Sequence, residues 1–175
     1  MQRRILLTHP VEARENWYGA RALAELKTLG EVVLNPHDRP LDLRELLAAA
    51  EGCPVIVSDR QALGDVSVFA GLPRLVAYVR GQVDISTIDV EAASANGVLV
   101  TQASRGFMAA VSEWAIWAMI AGSRRMHSYV ETYRGGGQPA SVIGPQLSGS
   151  TIGIIGFGAI AQHLAHAVHA IGMRV

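Results

Sequence analysis

The residues with the clearest chemical meaning form a glycine-rich turn late in the sequence. Gly156-Phe157-Gly158 follows the apolar run Thr151–Ile155, and Ala161 takes the third place of a Gly-x-Gly-x-x-Gly/Ala pattern. Gly156 would permit a tight turn, and Gly158 would let backbone N–H groups approach a phosphate at the positive end of the next helix. The order of strand, turn and helix is typical of a dinucleotide-binding site. A glycine-rich turn without a ligand is the alternative.

Three histidines, His163, His166 and His169, follow this turn and are the obvious candidates for a metal site. At about 100° per residue, the apolar side chains from Ile160 to Ile171 occupy the opposite side of the helix. The third histidine is turned well away from the first, and no acidic ligand is adjacent. We therefore predict a hydrated histidine face and no metal site.

Composition limits the classes of function. Of 175 residues, 50% are hydrophobic and 17% are charged, as expected for a globular protein with a substantial core. The 15 basic and 15 acidic residues cancel, so nothing in the net charge favours nucleic acid or an anionic membrane as a partner.

A single cysteine, Cys53, excludes an intramolecular disulfide framework and suits a reducing compartment. We interpret it as a small buried residue and not as a nucleophile. The apolar run Ile5–Leu7 is too short for the core of a secretory signal and is predicted to be a first strand. The expected location is the cytoplasm.

Short β-like runs alternate with helical patterns up to about residue 103. The apolar run 54–58 has no polar alternation, which is typical of a parallel strand buried on both faces. The alternation predicts an α/β fold with a doubly wound parallel sheet. The predicted strands are 5–7, 31–34, 54–58, 75–79 and 98–100, and the predicted helices are 17–29, 41–51 and 88–96.

The character of the sequence changes after Gly106. Residues 107–122 are apolar nearly all round, which indicates a helix buried on several sides, although Glu113 makes it too short to span a bilayer. A segment rich in glycine and proline then leads to the strand before the turn. Residues 173–175 look like the start of a further strand, so we expect a chain cut within a domain.

Four stretches together resemble the NAD-dependent D-isomer-specific 2-hydroxyacid dehydrogenases, and the resemblance runs from about Leu75 to Val175. They are Ile88-Asp89-Val90-Glu91-Ala92-Ala93, Val111-Ser112-Glu113, Thr151 to Ile160, and Ile171-Gly172-Met173-Arg174-Val175. The resemblance implies a flavodoxin-like substrate-side domain at 1–103. It further implies an interdomain and dimer helix with its connecting loop at 104–149, and the first β-α unit of a truncated Rossmann domain at 150–175.

The resemblance also implies the ligands and the residues that hold them. The cofactor would be NAD, with NADP as an open alternative, and the substrate a small 2-hydroxy or 2-oxo acid. Arg80 and Gly81, in the loop after the fourth strand, would bind the substrate carboxylate, for which a guanidinium is a planar match. The cofactor-binding residues would be Gly156, Gly158, Ala159 and Ile160. A solvated Arg80 paired with Asp84 is the alternative.

This sequence departs from the family pattern near the fifth strand. Gln102-Ala103-Ser104 and Phe107 stand where many members have Asn-Thr-Pro and an asparagine, which favours a more apolar or larger substrate. In the family the catalytic His, Glu and Arg, and the acid that binds the adenosine ribose, lie at positions that would come after Val175.

We therefore expect no catalytic residue in this chain, an oxidoreductase that is inactive as these 175 residues alone, and a homodimer formed through the 107–122 helix. Two alternatives remain: a non-catalytic, NAD-sensing protein similar to the corepressors that share this fold, and a flavodoxin-like or receiver-like interaction domain.

Overall fold

The computed structural model describes residues 3–175, and the chain divides into two units between Ser104 and Arg105. The first unit contains five strands that all pair in parallel, in the order β2-β1-β3-β4-β5. The predicted flavodoxin-like, doubly wound sheet is thereby confirmed. The strands are β1 (Arg4–Leu7), β2 (Glu31–Leu34), β3 (Val55–Ser58), β4 (Ala77–Arg80) and β5 (Leu99–Thr101).

Helices cover both faces of this sheet because successive strand residues point to opposite sides. Leu6 is fully buried on the face that packs against α3, α4 and α5, and Leu7 is fully buried on the face that packs against α2. Cys53 lies in the first of these cores, as predicted, and burial raises the pKa of its thiol. The helices of the first unit are α1 (Val11–Ala13), α2 (Ala20–Leu29), α3 (Leu43–Ala49), α4 (Val66–Gly71) and α5 (Val90–Ala95).

Aspartates begin three of these helices: α3 and α5, which start two residues later than predicted, and α4, which the sequence pattern did not predict. The carboxylates of Asp42, Asp65 and Asp89 each accept a hydrogen bond from a backbone N–H in the first turn. Asp42 forms a full capping box with Glu45, since the Glu45 carboxylate accepts the Asp42 N–H at 3.0 Å. Such caps stabilise a helix by roughly 1 kcal/mol each.

The predicted continuous helix over residues 17–29 is wrong. Gly19 has φ +86°, a left-handed conformation that ends a regular helix, and α2 starts at Ala20. The preceding residues Arg14–Tyr18 form a π-helical turn instead. Such turns are rare and are often found at functional sites.

The second unit consists of three helices, α6 (Met108–Ser123), α7 (Met126–Arg134) and α8 (Ala159–Ala170). Arg125, with φ +52°, separates α6 from α7, a helix that the sequence pattern did not reveal. Buried Ser112 joins α6 to α8 by donating to the carbonyl oxygens of Met108 and Ile160. Within residues 3–175 no helix combines the length and the apolar character needed to cross a membrane.

The strand predicted at Thr151–Ile155 is not a full strand in the structure. Thr151 forms one parallel bridge with Arg174, supported by hydrogen bonds of 2.8 Å from Ile152 N–H to Arg174 O and from Arg174 N–H to Ser150 O. A strand requires partners along its length, and within the described residues the only partner is the segment around Arg174. Ile155 is consequently fully exposed.

Candidate functional site

The carboxyl ends of β1, β3 and β4 gather a set of polar side chains at one edge of the first unit. Thr8 and His9 follow β1, Asp59 follows β3, and Arg80 is the last residue of β4. All four are buried, with at most 6% of their surface exposed. In the order β2-β1-β3-β4-β5 the direction of the crossovers reverses between β1 and β3, and this is where parallel α/β sheets bind ligands.

Hydrogen bonds tie these strand ends together. Thr8 Oγ1 donates to the Asp59 carboxylate at 3.3 Å and accepts the Asp59 N–H at 3.0 Å. The guanidinium of Arg80 donates through Nη1 to the Asp59 carbonyl oxygen and through Nη2 to Thr87 Oγ1 at 3.0 Å. Arg80 is therefore held in one orientation, since two of its nitrogens are bound to different segments.

The alternative of a solvated Arg80 paired with Asp84 is wrong, because Arg80 is 1% exposed and Asp84 pairs with Arg60 at 3.3 Å. Hydrogen bonds from Ser86 and the charges of Arg60 and Arg80 lower the pKa of the Asp84 carboxyl. Asp84 therefore lies within the field of Arg80, although its ion pair is formed with Arg60.

The predicted pair Arg80 and Gly81 stands at the edge of the sheet, but their donors are largely engaged. The N–H of Gly81 donates to Ser58 O at 2.9 Å and so continues the β3–β4 pairing. Arg80 Nε is enclosed and has no hydrogen-bond partner within residues 3–175. Over the same described range, the N–H groups of Gln82 and Val83 also lack a partner. The free donors of this loop therefore lie one and two residues beyond the predicted position.

His9 belongs to this site although the sequence reasoning did not select it. Its ring lies beside Gly81, where a Cβ on the glycine would be 3.5 Å from both Cε1 and Nε2 of the imidazole. The ring of Tyr18, from the π-helical turn, also contacts it, with 5.0 Å between the ring centroids. The available signal was its position directly after β1, one of the two strands at the crossover reversal.

Burial lowers the pKa of His9, and the charges of Arg14 and Arg80 lower it further, against an opposing effect of Asp59. Arg14 is held nearby, since its Nη1 donates to the carbonyl oxygens of His9 at 2.9 Å and Asn35 at 2.6 Å. A pKa below the usual 6.5 leaves the imidazole neutral at pH 7.

The glycine turn of the second unit has the opposite character, being open and exposed. Gly156 has φ +84°, which only glycine adopts readily, and a Cβ added at Gly158 would meet no heavy atom within 4 Å. The first hydrogen bond of α8 runs from Gln162 N–H to Gly158 O at 2.9 Å. The N–H groups of Ala159 and Ile160, two of the predicted cofactor residues, are left without an acceptor within the helix.

This geometry fits a pyrophosphate. A helix N-terminus with free N–H groups and a positive dipole attracts an anion, and the space beside Gly158 admits one to the backbone. The predicted positions Gly156, Gly158, Ala159 and Ile160 thus lie together at the start of α8.

The three histidines of α8 are exposed, as predicted for a hydrated face. Among the described residues, no group of three or more His, Cys, Asp or Glu side chains is arranged to hold a metal ion.

The low pKa of His9 predicts an acid-sensitive fold. Below pH 6.5 the His9 imidazole binds a proton in the unfolded chain but stays neutral in the folded chain. The free energy of unfolding therefore decreases as the pH falls from 6.5 towards the lower folded-state pKa. For one proton the slope reaches about 1.4 kcal/mol per pH unit. The free energy of unfolding, measured with urea at pH 7.5, 6.5 and 5.5, should depend less steeply on pH for His9→Gln than for the wild type. The exposed His37 supplies the control His37→Gln, and equal slopes for all three proteins would contradict the prediction.

The chain is similar to several known proteins. Residues 116–175 match the NAD binding domain of the D-isomer specific 2-hydroxyacid dehydrogenases. D-3-phosphoglycerate dehydrogenase from Mycobacterium leprae is 30% identical over 135 residues, which are 77% of this chain and 26% of that protein. Glyoxylate reductase from Thermococcus kodakarensis is 30% identical over 158 residues, 86% of this chain and 47% of that protein. The chain therefore spans between a quarter and half of these relatives.

Solved structures extend the likeness across both units. The TT0316 protein from Thermus thermophilus has a TM-score of 0.79 at 26% identity and covers 98% of this chain and 54% of its own. A D-isomer specific 2-hydroxyacid dehydrogenase from Polaromonas has a TM-score of 0.81 at 24% identity and covers 99% of this chain and 53% of its own. This similarity supports the fold. By these matches, the chain belongs to the D-isomer-specific 2-hydroxyacid dehydrogenase family.

Proposed function

We propose that this chain carries the substrate-side domain and the first β-α unit of the cofactor site of an oxidoreductase that interconverts 2-hydroxy and 2-oxo acids. The observation that carries the proposal is the open, uncapped turn at Gly156–Gly158 inside the segment that matches the NAD binding domain. Bound NAD would accept or supply the hydride at C2 of the acid. NADP presents the same pyrophosphate to this turn.

Within this proposal, residues 1–103 form the substrate-side domain, 104–149 the interdomain helix and connection, and 150–175 the beginning of the cofactor domain. We place the protein in the cytoplasm, because the buried thiol of Cys53 suits a reducing compartment.

Cofactor contact at the turn predicts a selective effect of one added methyl group. Gly158→Ala meets no atom of the protein, so the fold should be retained, but the methyl would occupy the approach of the pyrophosphate. We expect millimolar NADH to shift the amide NMR signals of Gly156, Gly158, Ala159 and Ile160 in the wild type. In Gly158→Ala these shifts should be largely lost.

Gly122 offers a matched control, since it too has open space beside it and lies in α6. Gly122→Ala should respond to NADH like the wild type. Identical NADH shifts in all three proteins would contradict the pyrophosphate assignment.

We further propose that these 175 residues do not catalyse hydride transfer by themselves. The proposal rests on the family pattern, in which the proton-donating His and its Glu and Arg partners have no counterpart among the positions that match here. The purified chain should oxidise no NADH in the presence of glyoxylate, hydroxypyruvate or pyruvate when absorbance is followed at 340 nm. Turnover that persists after removal of contaminating dehydrogenases would contradict it.

Arg80 and Gly81 are proposed to hold the substrate carboxylate at the end of β4. The support is electrostatic: a fixed, buried guanidinium lies at the start of a loop whose next two N–H groups have no hydrogen-bond partner among residues 3–175. A carboxylate against these N–H groups would be stabilised by the Arg80 charge.

Replacing Arg80 with lysine tests this role. Lysine keeps the positive charge but cannot donate to both the Asp59 carbonyl oxygen and Thr87 Oγ1 as the guanidinium does. The loop after β4 should therefore lose its fixed position. We expect Arg80→Lys to weaken glyoxylate binding by about tenfold or more, measured from the amide shifts of Gln82 and Val83. Arg60→Lys, which alters only an exposed ion pair, should bind nearly as the wild type does. Unchanged affinity in a folded Arg80→Lys would contradict the role.

A homodimer through α6 is also proposed. Four large apolar side chains of this helix, Val111, Trp114, Trp117 and Ile120, are exposed in the single chain, two of them tryptophans with more than 60% of their surface accessible. Soluble proteins seldom expose apolar surface of this extent unless another protein covers it.

The charged substitution Trp117→Glu should therefore shift a dimer to a monomer in sedimentation velocity. Burying an unpaired carboxylate costs several kcal/mol, which corresponds to at least a hundredfold loss of association. Trp17, 84% exposed in the first unit, supplies the control Trp17→Glu, which should leave the association unchanged. A wild-type monomer, or a Trp117→Glu dimer, would contradict the proposal.

A further inference from the structure

A pocket opens at the amino ends of the strands, opposite to the polar edge, which is the group of buried polar residues at the carboxyl ends of β1, β3 and β4. Arg4 is the first residue of β1, and Cys53 and Leu75 each stand two residues before a strand, β3 and β4. Arg4 and Thr8 are four residues apart along one chain, which is about 13 Å in an extended strand. The pocket has a volume of about 950 Å³, the size of a small-molecule site, and the proposed function makes no use of it.

Leucine side chains form an apolar wall in this pocket. Leu47 from α3 lines it together with Leu72 and Leu75, which belong to the core and are at most 8% exposed. Gly71 lets α4 approach α3 here, since a Cβ on this glycine would lie 2.8 Å from Cδ2 of Leu47. A close-packed apolar surface of this kind suits an aliphatic group of a ligand.

Three charged side chains also line the pocket, and one of them is already engaged. Arg4 Nη1 donates to Glu51 O at 2.8 Å, and Arg4 Nε lies 3.7 Å from the carboxylate of Glu31. The guanidinium of Arg74 and the carboxylate of Glu51 form no ion pair with each other or with any other group in residues 3–175. The pocket therefore offers one free positive and one free negative charge.

The ends of two helices favour a positive group on the ligand. α3 ends at Ala49 and α4 ends at Gly71, and residues at or next to both ends line the pocket. The last carbonyl groups of a helix have no partner within the helix and form the negative end of its dipole. A ligand with only a negative charge would meet Arg74 but would be repelled by Glu51 and by these carbonyl groups. A ligand with both charges matches the pocket better.

We propose that this pocket binds an aliphatic α-amino acid as a zwitterion, with its carboxylate on Arg74, its ammonium group on Glu51 and its side chain on the apolar wall. The two charges of such a ligand complement the two free charges of the pocket. This site is separate from the proposed substrate and cofactor sites, and it does not depend on hydride transfer.

Four small probes test the site, and the amide NMR signals of Gly52, Cys53 and Gly71 report binding. L-leucine has both charges and the aliphatic chain. 4-Methylpentanoate lacks the ammonium group, 3-methylbutylamine lacks the carboxylate, and glycine lacks the side chain. L-leucine should bind about fivefold or more tightly than each of the other three, since the charged contacts are solvent-exposed. Any of the three that binds as tightly as L-leucine would overturn the zwitterion assignment, and no shift with any probe would overturn the site.

Variants at the two free charges distinguish the two ends of the ligand. Arg74→Gln should weaken L-leucine binding about fivefold and leave 3-methylbutylamine unchanged. Glu51→Gln should weaken L-leucine binding to a similar extent, without weakening 4-methylpentanoate. Both side chains are exposed, so both variants should fold.

Exposed charges outside the pocket supply matched controls. Arg44→Gln and Glu91→Gln should bind L-leucine as the wild type does. If they weaken binding as much as the pocket variants, the attraction is a general effect of net charge and the assignment of Arg74 and Glu51 is wrong.

The reporter residues separate this pocket from the substrate site. L-leucine should leave the amide signals of Gln82 and Val83 unchanged, and Arg80→Lys should bind L-leucine as the wild type does. Shifts at Gln82 and Val83 without shifts at Gly52 and Gly71 would place the amino acid at the polar edge and overturn the pocket. Failure of glyoxylate to bind would overturn the proposed substrate site and leave this inference standing.

Discussion

A guanidinium that is almost completely enclosed imposes the strictest requirement in the first unit. The charge of Arg80 at the end of β4 must be solvated by the protein, since a buried and unsatisfied charge costs far more than a typical folding stability. Its hydrogen bonds to the Asp59 carbonyl and to Thr87 meet that requirement. They also fix the positions of the segments after β3 and β4. The shape of the polar edge follows from how this one charge is satisfied.

That edge depends on the parallel pairing of β1, β3 and β4, which places their carboxyl ends side by side. The register Ser58↔Arg80 puts the last residues of β3 and β4 opposite each other, and the Gly81 N–H to Ser58 O bond extends the ladder by one step. Thr8, one residue beyond β1, closes the set through Asp59. The apolar cores on both faces hold the strands that carry these groups, so the stability of the sheet and the geometry of the site have a common origin.

The two proposed substrate and cofactor sites of the chain differ in the burial of their hydrogen-bond donors. At the polar edge the donors are enclosed, and neutrality of His9 follows from burial and from neighbouring positive charge. At the turn before α8 the donors are backbone N–H groups in the open, and the proposed preference for an anion rests on the helix dipole and on the absence of a side chain at Gly158.

The local sequence pattern was sufficient to predict much of the secondary structure of this protein. Apolar runs without alternation predicted all five strands of the sheet, and the glycine spacing at Gly156 and Gly158 predicted the turn, because these features depend on neighbouring residues alone. Local pattern failed where a backbone break or a missing partner was decisive. Gly19 divides the helix predicted at 17–29, and the run Thr151–Ile155 pairs only at Thr151.

Tertiary structure alone decided the state of the polar residues. The sequence could mark Arg80 as a candidate, but it could not show that the guanidinium is buried or that Asp84 pairs with Arg60. Its only signal for His9 was the position directly after β1, since His9 lies 71 positions before Arg80 and meets Gly81 only because β1 and β4 belong to one sheet. Burial, neighbouring charge and the lack of a hydrogen-bond partner are properties of groups brought together by folding, and these properties govern what such an edge can bind.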